Sequence, residues 1–207
     1  MGCGVTASKT SEATKGFEAL IAELRAHNQG ALADRAERAR AGGDQIAFKT
    51  YENFTSAMTP TIADGERVLG RQLNNGEPKR GDVIILTPTD AARLTCNGSA
   101  NDDGKYIKRV IGLPGEHIKI VAGERVVRVE GKPFDVPVAA ANPLQGVDGG
   151  QASATFDVPA GKVFVLGDNR GNSCDSHVWS DAYVPIENVL WDVVGVYFPP
   201  EQARVVR

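Results

Sequence analysis

The sequence predicts a mainly β protein of antiparallel sheets, with a helical extension at its N-terminus. Beyond residue 45, short segments rich in Val, Ile, Tyr and Phe alternate with Gly, Pro, Asn and Asp, as short strands and tight turns require. No helical crossover separates those segments, which argues against a parallel α/β sheet. The first 45 residues are Ala-rich and carry apolar side chains at helical spacing.

Taken in order, Phe17, Leu20, Ile21 and Leu24 mark one face of a first helix, with Ser11 in its cap region although the capping-box spacing is not met. Asn28-Gln29-Gly30 interrupts the pattern, and Ala31 to Ala41 forms a second short helix that Gly42-Gly43 ends. Strands are expected at Gln45 to Tyr51, Arg67 to Leu73, Asp82 to Thr87, Tyr106 to Ile111, His117 to Val121, Arg125 to Glu130, Lys162 to Leu166 and Val189 to Phe198. The residues from Val121 to Arg125 read as a hairpin turn, and the Gly- and Ala-rich stretch from Ala139 to Ala154 as a long loop. Two parts follow: a helical N-terminal extension over 1–45, or residues added to the natural chain, and one domain over 46–207. The extension reads as amphipathic helices packed on the domain; a substitute for a membrane anchor and a partner-binding helix are the alternatives.

At 207 residues, with 42% hydrophobic and 24% charged residues, the chain is long enough for one substantial core. Lys plus Arg number 23 against 26 Asp plus Glu, and a net charge of -3 argues against nucleic acid as the main partner. Three cysteines make at most one bridge, and their wide separation fits neither a zinc site nor a CxxC pair. His27, His117 and His177 show no ligand spacing, so no metal is implied. No apolar run approaches the roughly 20 residues of a transmembrane helix, and the N-terminus lacks the basic start and apolar block of a secretory signal. A soluble chain is the expectation. Met1-Gly2-Cys3-Gly4-Val5-Thr6 fits the spacing of an N-myristoylation signal, a short pattern that is common by chance. The same holds for the glycosylation tripeptides at Asn53 and Asn97.

Four segments read together: Thr55-Ser56-Ala57-Met58-Thr59-Pro60-Thr61-Ile62, Glu77-Pro78-Lys79-Arg80-Gly81-Asp82-Val83, Tyr106-Ile107-Lys108-Arg109-Val110-Ile111-Gly112-Leu113-Pro114-Gly115-Glu116, and Gly167-Asp168-Asn169-Arg170-Gly171-Asn172-Ser173-Cys174-Asp175-Ser176. Singly, each is a turn or a strand. In this order and spacing they resemble the boxes of type I signal peptidases, serine proteases that remove signal peptides from exported proteins. The resemblance runs from about Asn53 to Val196.

What the resemblance implies is a Ser/Lys dyad. The serine before Met in the family's Ser-Met-x-Pro-Thr box attacks the scissile carbonyl, and a lysine, here Lys108, removes its proton. On a strand, Lys108 shares its face with Tyr106 and Val110, and a dry face lowers an amine's pKa toward that of a general base. The residue before Met58, however, is Ala57, which has no oxygen to attack with. Ser56 cannot stand in if the backbone is extended, because adjacent side chains then point to opposite sides. Either a serine has been replaced on purpose, or the chain is a natural pseudoprotease that binds signal peptides or extended strands without cutting them. A self-cleaving repressor-type peptidase also uses a Ser/Lys dyad but lacks the Gly-Asp-Asn-Arg box.

The same resemblance gives Thr55 a part in stabilising the oxyanion and Ser173 a part in orienting the lysine. Met58, Pro60, Asp168, Arg170 and Asp175 take substrate-binding or bracing roles. Where the family commonly has Asp-Ser-Arg, this chain has Asp175-Ser176-His177, which exchanges an Asp–Arg pair for a pH-dependent Asp–His contact. Those two residues do not indicate a Ser-His-Asp triad, since no nucleophile-elbow motif occurs. The implied substrate is an extended preprotein bound by β-addition, with small residues at the first and third positions before the cut and Ile107 and Val83 placed to line their pockets. No cofactor is implied. Family members are anchored in the cytoplasmic membrane with the active site on its outer side. Whether Cys96 and Cys174 pair is open.

Overall fold

The computed structural model describes residues 5–42, 47–73, 77–96, 104–121, 126–134 and 153–206. Two helices come first, α1 (Val5–Ala26) and α2 (Gly30–Arg40). A larger sheet holds β1 (Phe48–Glu52), β2 (Arg67–Gln72), β3 (Val83–Leu86), β4 (Tyr106–Gly112), β9 (Lys162–Leu166), β10 (Val184–Pro185), β11 (Val189–Phe198) and β12 (Arg204–Val205). A smaller one holds β5 (His117–Ile120), β6 (Val127–Val129), β7 (Lys132–Phe134) and β8 (Ala154–Asp157). The larger sheet runs β1-β2-β11-β3-β4-β9-β10 with β12 beside β11, and the smaller β7-β6-β5-β8. Every pairing among the described residues is antiparallel. The expected class is the observed one.

Each expected strand that lies in the described residues exists, shifted by a few residues at most. The first runs Phe48–Glu52 rather than from Gln45, which lies outside the described residues together with the turn at 122–125 and most of the loop at 139–152. Four strands were not legible. Lys132-Pro133-Phe134 hides behind its proline, tolerated because β7 lies on an edge; β8 opens at Ala154, the last residue of the expected loop; β10 and β12 have two residues each. The short helix α3 (Asp90–Thr95) also went unread; Thr89 Oγ1 caps it by accepting from Ala92 N–H at 3.2 Å. It joins β3 to β4, which pair antiparallel, so it is no crossover.

The first helix begins at Val5, ahead of the cap region expected at Ser11. Its expected face is buried: Phe17, Leu20, Ile21 and Leu24 form one cluster with Ala33 and Ala36 of α2 and with Leu69, Val194 and Tyr197 of the larger sheet. The approach is close because position 16 has no side chain. A Cβ on Gly16 would stand 1.7 Å from the Tyr197 carbonyl oxygen. The helices therefore cover one face of the sheet and share a core with it. The smaller sheet packs through Ile118 and Ile120, the inward residues of alternating β5, against Phe164 and Leu166 of β9. At the centre lies β4, all seven of whose residues are buried, including Lys108 and Arg109.

Candidate active site

The 53–62 loop that follows β1 is tied by Asn53. Its Nδ2 donates to the carbonyls of Thr55 at 2.7 Å and Ala63 at 2.8 Å, and its backbone N–H to Glu66 at 2.8 Å. Thr59 N–H donates to Ser56 O at 3.1 Å and Ile62 N–H to Met58 O at 2.9 Å, so Ser56, Ala57 and Met58 lie in a turn and not in the extended backbone expected for them. The ground given for setting Ser56 aside therefore falls; its Oγ accepts from Asn172 Nδ2 at 2.7 Å. Ala57 is buried, and fully buried Met58 shares a cluster with Ile62, Val83 and Ile107. Pro60 is exposed on the loop. Thr55 Oγ1 accepts from Ala57 N–H and donates to Asn53 Oδ1, both at a long 3.4 Å.

Lys108 lies opposite Ile84 of β3, is 3% exposed, and holds its Nζ 5.6 Å from the centre of the Tyr106 ring. Burial pushes its ammonium below the ordinary lysine range, while the Asp175 and Asp168 carboxylates pull the other way. The dry face expected for this lysine is therefore present.

The 167–176 loop leaves β9 directly beside this lysine. Arg109 pairs with Leu166 across the β4–β9 ladder, so one further step sets Gly167 opposite Lys108. A Cβ on Gly167 would meet Ser173 Oγ at 2.1 Å and Ala57 O at 2.6 Å. Only glycine lets the two loops close to this distance, with Ser173 and the Ala57 carbonyl against it and Lys108 opposite it in register. Ser173 Oγ is buried with no hydrogen-bond partner among the described residues. Buried hydroxyls are seldom left so.

Ion pairs hold this loop. Buried Asp168 takes Arg109 Nε at 2.8 Å and Nη2 at 2.6 Å, a bidentate pair, and accepts from Thr61 Oγ1 at 2.5 Å. Asp175 accepts from Gly167 N–H at 2.7 Å and from His177 Nδ1, the contact expected in place of an Asp–Arg pair. Burial alone would lower the His177 pKa, but Asp175 outweighs it and holds the ring up; the ring in turn helps hold Asp175 below the ordinary aspartate value against its own burial. Arg170 donates from Nε to Gly167 O at 3.0 Å, while its Nη atoms are buried without a partner among the described residues.

Cys96 and Cys174 form a disulfide with Cα atoms 5.7 Å apart, fastening the end of α3 to the residue after Ser173. Arg109, Thr61, Asn169 and Asn172 were not singled out from sequence. The available signal was their position inside the boxes, and for Arg109 the charge on an otherwise apolar strand. Asn53 is buried and so closed to glycosylation, and Asn97 lies outside the described residues. Among the described residues no group of His, Cys, Asp and Glu could hold a metal ion, and no helix is long and apolar enough to cross a membrane.

A family model described as signal peptidase, peptidase S26, matches residues 43–198. Signal peptidase I of Leptolyngbya laminosa is 36% identical over 147 residues, which cover 70% of this chain and 66% of that protein. Signal peptidase I S of Bacillus subtilis (strain 168) is 36% identical over 136 residues, 62% of this chain and 66% of that protein. The chain thus spans just under two thirds of the length of these relatives. A solved signal peptidase I structure from Enterococcus faecalis V583, 25% identical, covers 56% of this chain and 96% of that chain with a TM-score of 0.39.

Proposed function

The chain belongs to the signal peptidase family, peptidase S26, and on that premise we propose that it is the catalytic domain of an endopeptidase that cuts signal peptides from secretory preproteins, with alanine in the place of its nucleophile. The observation that supports this reading is a buried lysine, Lys108, at the strand position opposite Gly167, against which Ser173 Oγ and the Ala57 carbonyl also pack.

With serine at position 57, its hydroxyl oxygen attacks the scissile carbonyl while Lys108 Nζ takes the hydroxyl proton. The carbonyl oxygen becomes an oxyanion, received by the backbone N–H of position 57 and by the Thr55 hydroxyl, which must first turn away from Asn53. One such donor is worth about 3 kcal/mol of barrier. Collapse breaks the C–N bond, and the Lys108 ammonium returns its proton to the leaving amine. Water then attacks the acyl carbonyl with Lys108 again the base, the ester bond to the serine oxygen breaks, and Lys108 returns the proton to that oxygen. Burial lowers the pKa of the amine, the direction a general base requires, and Asp175 and Asp168 keep its brief ammonium tolerable. Ser173, whose buried Oγ has no partner among the described residues, would accept from that ammonium, and Asp168, Arg170 and Asp175 hold the loop that carries it.

With Ala57 the covalent route is closed, and the chain binds its substrate without cutting it. That substrate is an extended preprotein segment with small residues before the cut. The apolar cluster of Met58, Ile107 and Val83 lies under the loop it would approach. In the family's setting this takes place on the outer side of the cytoplasmic membrane.

The test is Ala57→Ser. The restored enzyme should cleave a peptide carrying Ala-x-Ala after the second Ala, and adding Lys108→Ala should lower the rate by roughly a thousandfold or more. A folded Ala57→Ser protein that leaves the peptide intact contradicts the peptidase reading and leaves a binding protein.

A further inference from the structure

Resting on that reading, we propose that Asn169 is a positioning residue: its carboxamide aims the peptide N–H of position 57 at the oxyanion. The argument begins with a property of the amide. The carbonyl of Ser56 and the N–H of Ala57 belong to one planar trans peptide and point in opposite directions, so fixing either fixes the other. Asn169 Nδ2 donates to that Ser56 carbonyl at 3.1 Å. Its backbone N–H donates to the next carbonyl, that of Ala57, at 3.0 Å. One residue of the 167–176 loop therefore holds both peptides that flank position 57.

The opposite side of this peptide is loosely held. Among the described residues the Ala57 N–H reaches only Thr55 Oγ1, at 3.4 Å, a long contact that leaves the donor available for a stronger acceptor. A donor waiting for charge that has not yet formed must be held from behind, because the stabilisation depends on its being aimed before the reaction starts. A hydrogen bond on the carbonyl also polarises the amide and strengthens its N–H as a donor. Thr59 N–H reaches the same Ser56 carbonyl at 3.1 Å, from within the turn. Asn169 comes from the other loop, and so links the aim of the oxyanion donor to the loop that carries Ser173 and braces Lys108. The Asn172 side chain reaches the Ser56 hydroxyl and neither peptide that flanks position 57.

Asn169→Asp keeps the shape and the backbone N–H but replaces the amide donor with a carboxylate oxygen. In the Ala57→Ser background it should lower kcat by roughly 10- to 100-fold with KM within about threefold, and Asn169→Ala should do the same. Affinity for a peptide boronic acid, whose tetrahedral adduct on the restored serine hydroxyl places an oxygen where the oxyanion forms, should fall in parallel, while affinity for the matching uncleavable peptide should hold. A kcat that does not change, or peptide affinity lost in step with kcat, overturns the positioning role; should Asn169→Ala fail to fold, the near-isosteric Asn169→Asp decides. A second measurement needs no catalysis. In the chain with Ala57, Asn169→Asp should move the Ala57 backbone 15N resonance more than that of any other residue in the 53–62 loop, and an unmoved resonance overturns the proposal. Absence of cleavage by Ala57→Ser itself counts against the peptidase reading, and the resonance then decides on Asn169 alone.

Discussion

A lysine in the middle of a strand whose residues are all buried must find carboxylates or release its proton, and Lys108 stands between these outcomes. Two carboxylates act on it from the 167–176 loop, yet both are already committed, Asp168 to Arg109 and Asp175 to Gly167 and His177. A different, half-buried carboxylate gives an independent check on the residue scale. Asp192 of β11 lies beside Arg71, and its pKa is pushed up to about 6, first by burial, with Asp82 adding to the rise and Arg71 opposing it. Raised above its ordinary value, this group favours the folded state most at low pH, and that contribution is lost as pH rises through about 6. Asp192→Asn should therefore stabilise the protein above that pH, by at most about 3 kcal/mol at pH 8, and not at pH 4. Urea unfolding at the two pH values checks this, and an equal effect at both would contradict it. Residues of this kind were readable only where a box flagged them. Lys108 and Asp168 were, whereas nothing local in the sequence marks Asp192 as half-buried.

Among the elements, α1 shows what periodicity can and cannot convey. The spacing of Phe17, Leu20, Ile21 and Leu24 reveals the buried face, and the structure seats that face on the larger sheet. How closely the helix approaches is set by Gly16, where a Cβ would run into the Tyr197 carbonyl. A helix-favouring substitution there should accordingly do harm. Gly16→Ala gains helix propensity worth at most about 1 kcal/mol but must lift α1 off the backbone of β11, and a net loss of about 1–3 kcal/mol is expected in thermal or urea unfolding. Stabilisation by Gly16→Ala would show that the helix is not held to the sheet at this distance. The strands followed a similar rule. Strands with a β-branched run were legible, while β7, which carries a proline, and the two-residue β10 and β12 were not, because two residues carry no period and exist only through their partners.

At the scale of the whole molecule, the antiparallel order brings together what the chain separates. Ala57 sits in the loop after β1, Lys108 on β4, and Ser173 beyond β9, and β4 pairs with β9 so that the loops at their ends converge on Gly167. The disulfide from Cys96 to Cys174 fastens the third of these loops from outside. Sequence spacing could not disclose that pairing, since two cysteines 78 residues apart say nothing of their distance. The four boxes named the residues of the site. They could not name the clamps that hold them, because Asn169, Asn172 and Thr61 act through backbone and loop contacts that exist only once the sheet has formed. The central claim of the proposal is that burial lowers the pKa of the Lys108 amine so that it can serve as a base, and it can be tested without any substrate. The side-chain resonances of Lys108, followed by NMR in the folded protein with Ala57 in place, should report proton loss well below the ordinary lysine value of 10.5, a shift that urea unfolding abolishes. Titration of Lys108 near 10.5 in the folded chain would contradict the account.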